Sequence, residues 1–211
     1  MALSNFSELK TAITDWLERP NLSTKTEDFI RLAENRIYRE LRIPPMEVKT
    51  TLSIVNGNLI SIPDDLLELK TMYYSKNNKT VTLQSAPLEK VLREADTTGD
   101  PLFFNRIASQ WVLGPTPSDS STITPNVYYY RELEALSSTN TDNWFTDYAP
   151  GLLLFASLVE ASKYDKDLEL EAFYERKYLD VRNDVIKLVT DSDYSSSPIQ
   201  VISDIKVDNL M

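Results

Sequence analysis

The chain has 211 residues and a formal net charge of −10, and 42% of its residues are hydrophobic, which suffices for one core domain with a small appendage. It contains no cysteine and no histidine, which excludes disulfides, thiol nucleophiles, Ser-His-Asp catalysis and histidine-ligated zinc. No secretory signal and no apolar run of about eighteen residues is visible, so we expect no membrane segment.

The first forty-odd residues predict two amphipathic helices. Asn5 followed by Glu8 resembles a capping box, and apolar residues then recur at helical spacing. A second helix is predicted to begin at Thr24, with Glu27 three residues later, and Pro44-Pro45 ends it. The apolar faces of the two helices are formed by Phe6, Leu9, Ile13, Trp16 and Leu17, and by Phe29, Leu32, Ala33, Ile37 and Leu41.

Between residues 46 and 131 the pattern changes to that of strands. Apolar residues alternate with polar ones from Val48 to Ile54, and Asn56-Gly57 is a strong hairpin signal. Asn77-Asn78 predicts a second turn. Further strands are predicted at 59–62, 70–75, 80–83, 103–107, 111–113 and 126–131, with a short helix at 88–95 after Pro87. These strands predict a small antiparallel sheet or sandwich.

Helical periodicity returns from Asp147. Residues 150–161 are apolar around most of the helix circumference, which predicts a buried helix, and a second amphipathic helix extends to Leu188. Because only residues 165–167 connect the two, we expect antiparallel neighbours. The prediction is an α+β fold. Its parts are a four-helix bundle of residues 1–45 plus 146–190, an antiparallel β-rich insertion at 46–145 and an extended C-terminal tail at 191–211.

Carboxylates are the main candidates for catalytic or metal chemistry. Asp64-Asp65 could contribute to a metal site, but no calcium loop follows, so we interpret the pair as a turn. Two acids such as Asp64 and Glu68 could hydrolyse a glycan without histidine. Asp180 and Asp184 lie one helical turn apart, which is typical of a solvated face. We therefore predict no catalytic residue, no cofactor and no metal site.

Aromatic residues near the end of the strand region are candidates for contacts between subunits. In a strand, Tyr128 and Tyr130 would lie on one face and Tyr129 on the other, in a core or at an interface. Trp144, in a polar loop before the buried helix, could pack that loop down or reach a neighbouring subunit. We take Tyr128, Tyr130, Arg131 and Trp144 as candidate interface residues.

The C-terminal tail has a pattern of its own. After a linker-like segment at 192–198, apolar residues follow without a partner helix. Such a tail is predicted to dock on another subunit, most simply as an added strand, although a self-packed or disordered terminus is the alternative. The candidate docking residues are Ile199, Val201, Ile202, Ile205, Val207 and Leu210.

Acidic residues are concentrated in one part of the chain. Residues 132–193 carry fourteen acidic and six basic side chains, whereas residues 1–45 carry seven of each. Binding to nucleic-acid phosphates requires clustered Lys and Arg, which this sequence lacks. A role in gripping DNA is therefore not expected, and a surface that repels DNA is compatible with the charge.

Several segments spread over residues 3 to 190 match one family pattern in order and spacing. They are 7–13 with Trp16-Leu17, 29–34 through 39–42, 62–69 (IPDDLLEL), 112–117 (VLGPTP), 129–131, 143–144, 147–150 (DYAP) and 152–161. On these segments the chain resembles the adaptor family of tailed bacteriophages, the head-to-tail connectors and tail-tube-A-like proteins. The resemblance implies a helical bundle with a β-rich insertion.

The resemblance also implies a function and a set of partners. It implies a structural virion protein that forms a ring of about twelve copies under the portal protein, continues the DNA channel and docks a tail nozzle or tail-completion protein. The protein would lie in the virion neck after assembly in the host cytoplasm. Its acidic surface would let DNA pass without sticking, and its C-terminal tail would dock toward the portal or a neighbouring subunit. The alternatives are a tail-associated glycan or peptidoglycan hydrolase and an assembly chaperone that forms no ring.

Overall fold

The computed structural model describes residues 3–194, which divide into two compact units. One unit combines the N-terminal residues as far as Ile30 with those from Phe145 onward, and we call it the helical unit. The other comprises Arg31–Trp144, and we call it the sheet unit. The α-helices of the described residues are α1 Phe6–Leu17, α2 Thr26–Glu40, α3 Leu88–Ala95, α4 Trp144–Tyr148, α5 Pro150–Asp165 and α6 Leu168–Tyr194.

Local hydrogen bonds fix the start of α1. The Asn5 side chain accepts a hydrogen bond from the backbone N–H of Glu8 at 2.9 Å. The Glu8 carboxylate accepts one in return from the backbone N–H of Ser4 at 2.9 Å. Because the first N–H groups of a helix have no partner within it, this arrangement stabilises the start of α1. The predicted cap is confirmed, with Ser4 as the donor to Glu8.

Helix α5 forms the buried centre of the helical unit. Its Leu152, Leu153 and Leu158 side chains are fully buried, as the apolar circumference of this segment predicts. It packs against α1 and α6. Lys166 ends α5 in the left-handed conformation, and the Asp167 carboxylate then accepts the backbone N–H of Leu170 at 3.1 Å. The chain therefore reverses within two residues, which confirms the predicted antiparallel pair. Among residues 3–194, no helix is both long and apolar enough to span a membrane.

The sheet unit contains nine strands in two sheets. They are β1 Glu47–Thr51, β2 Ile54–Val55, β3 Leu59–Ser61, β4 Leu66–Lys76, β5 Lys79–Thr82, β6 Gln84–Ser85, β7 Phe103–Ile107, β8 Gln110–Gly114 and β9 Asn126–Arg131. The first sheet has the antiparallel order β1-β9-β4-β5, and the second has the order β2-β3-β8-β7-β6. Only the β6–β7 pair is parallel among these strands. The α+β class is thus confirmed.

Two of the hairpins turn at the positions that the sequence predicts. Residues 56–58 connect β2 to β3, and the first two of them, Asn56 and Gly57, have φ angles of 49° and 86°. Asn77 and Asn78 connect β4 to β5 with φ angles of 51° and 60°. Two successive positive φ angles match the twist of hairpin strands, and asparagine and glycine tolerate them best.

The core of the sheet unit lies between the inner faces of its strands. It is formed by Ile60, Met72, Tyr74, Leu83, Phe104, Trp111, Leu113, Ile123, Val127 and Tyr129. The hydroxyl of the fully buried Tyr74 donates to the carbonyl oxygen of Pro101 at 3.1 Å. Helix α3 covers β8 so closely that a Cβ atom on Gly114 would lie 2.6 Å from the carbonyl oxygen of Val91. Only glycine therefore fits at this position of β8.

The second half of α2 holds the segment that follows β9. The Tyr38 hydroxyl donates to the carbonyl oxygen of Leu133 at 3.0 Å. One turn earlier, the Glu34 carboxylate accepts the backbone N–H of Leu136 at 3.0 Å. Glu34 is 2% exposed, and burial raises its pKa to about 7. A buried carboxyl therefore stabilises an otherwise irregular stretch of chain.

Several sequence-based expectations differ from the structure. The four-helix bundle is not confirmed, because α2 divides at Ile30 between the two units and six α-helices are present in residues 3–194. The second helix begins at Thr26, after a 3₁₀ turn at Pro20–Lys25, and not at Thr24. The alternation from Val48 to Ile54 is not one strand, since β1 and β2 belong to different sheets.

The boundaries of the predicted domains stay a prediction. The expected domains are residues 1–45 plus 146–190 and residues 46–145, whereas the chain divides between the compact units within α2 and after Trp144. Trp16 and Leu32, which the sequence assigns to apolar helix faces, are 45% and 49% exposed, and Phe173 and Leu188 of the amphipathic helix α6 are exposed as well. Helical periodicity identifies such a face, but the number of neighbouring elements decides how much of it is covered.

Candidate functional site

The outer face of the first sheet carries the predicted tyrosine pair. Strand β9 lies between β1 and β4, so its side chains project alternately from the two faces of the sheet. Tyr129 and Val127 are buried in the core, whereas Tyr128 and Tyr130 are half-buried on the opposite face. The predicted alternation is confirmed. A tyrosine pair therefore lies on a face that is open to contact.

The first part of this face is a stacked aromatic pair with a lysine. The rings of Tyr73 and Tyr128 have centroids 6.1 Å apart and are inclined by 19°. The Lys49 amino nitrogen lies 5.8 Å from the Tyr73 centroid and 5.7 Å from the Tyr128 centroid. Hydrogen bonding to Tyr73, followed by the charge interaction with Tyr128, raises the pKa of Lys49. A solvent-accessible positive charge is thus held over two rings.

The second part is an ion pair beside Tyr130. The Lys70 amino nitrogen lies 2.6 Å from the Glu47 carboxylate and 5.3 Å from the Tyr130 ring centroid. Hydrogen bonding to Glu47 raises the pKa of Lys70. Burial and hydrogen bonding to Glu47 raise the pKa of Tyr130. We define the tyrosine–lysine face as the outer-face residues Glu47, Lys49, Lys70, Tyr73, Tyr128 and Tyr130.

The other two predicted interface residues do not join this face. Arg131 is exposed at the end of β9, and strand alternation places it on the same face as Tyr129. The positive charge of Arg131 acts to lower the pKa of Tyr129. Burial, followed by hydrogen bonding to Asp65, outweighs that charge and raises the pKa of Tyr129 to about 12. Trp144 is half-buried at the first residue of α4, outside the sheets. The interface role of all four residues stays a prediction.

Sequence reasoning missed the lysines and Tyr73. The signal was present for Lys49, because the alternation that packs Val48 against the core places Lys49 on the opposite face. No sequence signal reveals that Tyr73 stacks on Tyr128. A register shift in β4 between Leu69 and Thr71 pairs Tyr128 with Thr71 and makes Tyr73 its diagonal neighbour. Strand pairing brings these residues together from three separate segments.

Two of the carboxylates considered for catalysis or metal binding, Asp65 and Glu68, have structural partners. Asp64 and Asp65 form a turn, as interpreted from the sequence, and the Tyr129 hydroxyl donates to Asp65 at 2.9 Å. Glu68 pairs with Arg42 at 3.1 Å. Within residues 3–194, no group of three acidic, histidine or cysteine side chains could hold a metal ion. The arrangement of these carboxylates is that of turn and surface contacts.

An exposed aromatic cluster lies on the helical unit. The Trp16 ring contacts Phe155 and Tyr174, with centroids 5.6 and 6.4 Å away. Phe173 packs edge-on against Tyr174 at 5.4 Å. Trp16 is 45% exposed and Phe173 is 48% exposed, although both contribute to apolar helix faces. Large aromatic surfaces left open to solvent are typical of contacts with another protein.

The predicted docking tail lies outside the described residues. Its candidate residues, from Ile199 to Leu210, follow the last described residue, Tyr194. A family model described as SU10 adaptor protein matches residues 4–201 of the chain. The match includes the whole tyrosine–lysine face and ends at Val201. No curated protein matches the sequence.

Proposed function

The chain belongs to the SU10 adaptor protein family, a family of phage head-to-tail adaptors, and on this premise we propose that it is one subunit of a ring between the portal and the tail. The adaptor resemblance of the sequence is confirmed by this membership, while the tail-tube-A-like subgroup is not. The family implies a structural role in the virion neck, in a ring with portal and tail proteins. The copy number of about twelve is part of the proposal.

The observation that carries the proposal is the family match over nearly the whole chain. The exposed surfaces support it, because tyrosine and tryptophan are enriched where proteins contact one another. We propose that the tyrosine–lysine face is one such contact, with Tyr128 as its centre. Lys49 lies over the Tyr128 ring and adds a positive charge that suits an acidic neighbouring surface.

The charge of the chain suits a protein that surrounds moving DNA. A net charge of −10 per copy, repeated around a ring, repels phosphates and prevents tight binding. We propose that part of the acidic region at 132–193 faces the DNA channel. Asp180 and Asp184 in α6 are both exposed and are available for such a surface.

Cryo-electron microscopy of intact particles tests the proposed function directly. We expect density for this chain in a ring between the portal and the tail. The chain would be labelled with an epitope tag so that the assignment does not depend on shape alone. Finding the tagged chain absent from particles, or located elsewhere in them, would disprove the adaptor function.

Reversing the charge of Lys49 tests the tyrosine–lysine face. We expect Lys49→Glu to reduce incorporation of the chain into particles about tenfold, the loss that corresponds to about 1.4 kcal/mol of binding free energy. Incorporation is measured by immunoblotting of purified particles. Lys79→Glu, on the exposed strand β5 of the same sheet, is the matched control. Equal incorporation of the two variants, both folded by circular dichroism, would contradict this role.

A further inference from the structure

Strand β4 has an edge that is covered only in part. β9 pairs with it from Leu66 to Tyr73, whereas on the other side β5 pairs with it only from Tyr73 to Lys76. The backbone N–H of Leu83 adds one more bond, to the carbonyl oxygen of Met72. Among the described strands, none pairs with residues 66–71 on this side. Those residues therefore present an open strand edge.

A groove of about 490 Å³ runs beside this edge. It is lined by Leu69, Lys70, Thr71, Met72, Thr82, Leu83, Ser85 and Phe104. Four of these residues come from β4, and Ser85 comes from β6, the edge strand of the second sheet. The groove thus lies between two strand edges and offers both backbone groups and apolar side chains. An extended peptide is the ligand that such a site fits.

The edge is irregular, which restricts what can pair with it. Register shifts occur between Leu66 and Glu68 and between Leu69 and Thr71. Bulges and exposed lysines on an edge prevent indiscriminate pairing between sheets, and Lys70 is exposed here. A specific strand that matches the bulged spacing remains able to bind.

One segment of the chain has the composition of such a strand. Between residues 199 and 207, Ile199, Val201, Ile205 and Val207 all lie at odd-numbered positions, with the small Ser203 at the odd position between them. An extended conformation would therefore place these side chains on one face. Fully extended, residues 195–211 would span on the order of 50 Å, which exceeds the diameter of a domain of this size. The segment is therefore long enough to reach another subunit.

We propose that residues 199–207 of one copy add as a strand to the open edge of β4 in a second copy, with apolar side chains directed into the groove. The inference rests on the proposed ring, because a closed ring gives every copy one strand to donate and one edge to receive it. It favours a neighbouring subunit over the portal as the docking site of the tail. Backbone hydrogen bonds between the added strand and β4 would then connect each subunit to the next.

Cysteine cross-linking tests this contact with little background, because the chain contains no cysteine. Thr71→Cys is placed in the groove of one tagged copy, and single cysteines at positions 199 to 207 are placed in a second, differently tagged copy. Disulfides form only when Cα atoms are within about 7 Å. In particles that contain both copies, we expect cross-linked dimers whose yield peaks at one position and alternates along the segment.

Ser75→Cys is the matched control, because Ser75 is exposed on the same strand where β5 occupies the edge. Equal yields at Ser75 and Thr71, cross-links to the portal alone, or cross-links within one copy would each overturn the inference. Incorporation of the variants into particles without any cross-link would overturn it as well, and would leave the adaptor function intact. Absence of unmodified chain from particles would disprove the adaptor function instead.

Discussion

Replacing Glu34 with glutamine should remove most of the pH dependence of the free energy of unfolding between pH 4.5 and about 7. The lower limit is the ordinary pKa of a glutamate carboxyl, and the upper limit is the pKa of Glu34 in the folded protein. Folding keeps the proton on the buried carboxyl up to the higher value, whereas the unfolded chain releases it near the lower one. The free energy of unfolding of the native protein should therefore fall as pH rises through this interval. The loss is about 3 kcal/mol, at 1.4 kcal/mol for each pH unit.

Glutamine cannot ionise and still offers an oxygen to the backbone N–H of Leu136. Glu34→Gln should therefore match the native protein below pH 4.5 and exceed its stability above pH 7. Urea denaturation across this pH range measures the difference. Glu134 is exposed and lies in the segment that contains Leu136, so Glu134→Gln is the control. This variant should keep the pH profile of the native protein. A native stability that stays constant from pH 4.5 to 7 would refute the role of Glu34.

A second large loss of stability is expected for Gly114→Ala. The added methyl group would lie 2.6 Å from the carbonyl oxygen of Val91 and 2.9 Å from the Cβ atom of Glu94. These atoms belong to α3, so the helix must move away from β8. Overpacking of this kind costs about 3 kcal/mol. The midpoint of urea unfolding measures the loss.

Gly99 provides a matched control for this substitution. A Cβ atom on Gly99 would meet its nearest neighbour, the Cβ of Pro115, at 3.5 Å, an ordinary van der Waals distance. Gly99→Ala should therefore change stability by less than about 1 kcal/mol. If the two variants unfold at the same urea concentration, the close approach of α3 to β8 is not what requires glycine at position 114.

The sequence predicts local features well where neighbouring residues determine them. Asn5 caps α1, the asparagine turns fall between the hairpin strands, and the short helix at 88–95 has the predicted bounds. Each depends on φ preferences or hydrogen bonds within a few residues. The alternation of Tyr128 and Tyr129 is local in the same sense, because successive side chains in any strand point to opposite faces.

The candidate site was predictable only in part. Tyr128 and Tyr130 could be assigned to one face, but Lys49 and Tyr73 reach them from strands that are distant in the sequence. Arg131 is adjacent to Tyr130 in sequence yet lies on the other face of the sheet. Which strands become neighbours depends on the burial of the whole core and not on any single segment.

The sequence alone determined the absence of cysteine and histidine chemistry, the acidic balance, the α+β class and the resemblance to phage adaptors. These follow from composition, periodicity and short-range order. Only the tertiary structure shows that α2 is divided between two units and that the 48–54 segment contributes one strand to each of the two sheets. It also decided that β4 keeps an open edge. Such features depend on contacts between distant residues, and periodicity carries no information about the partner of an apolar face or of a strand edge.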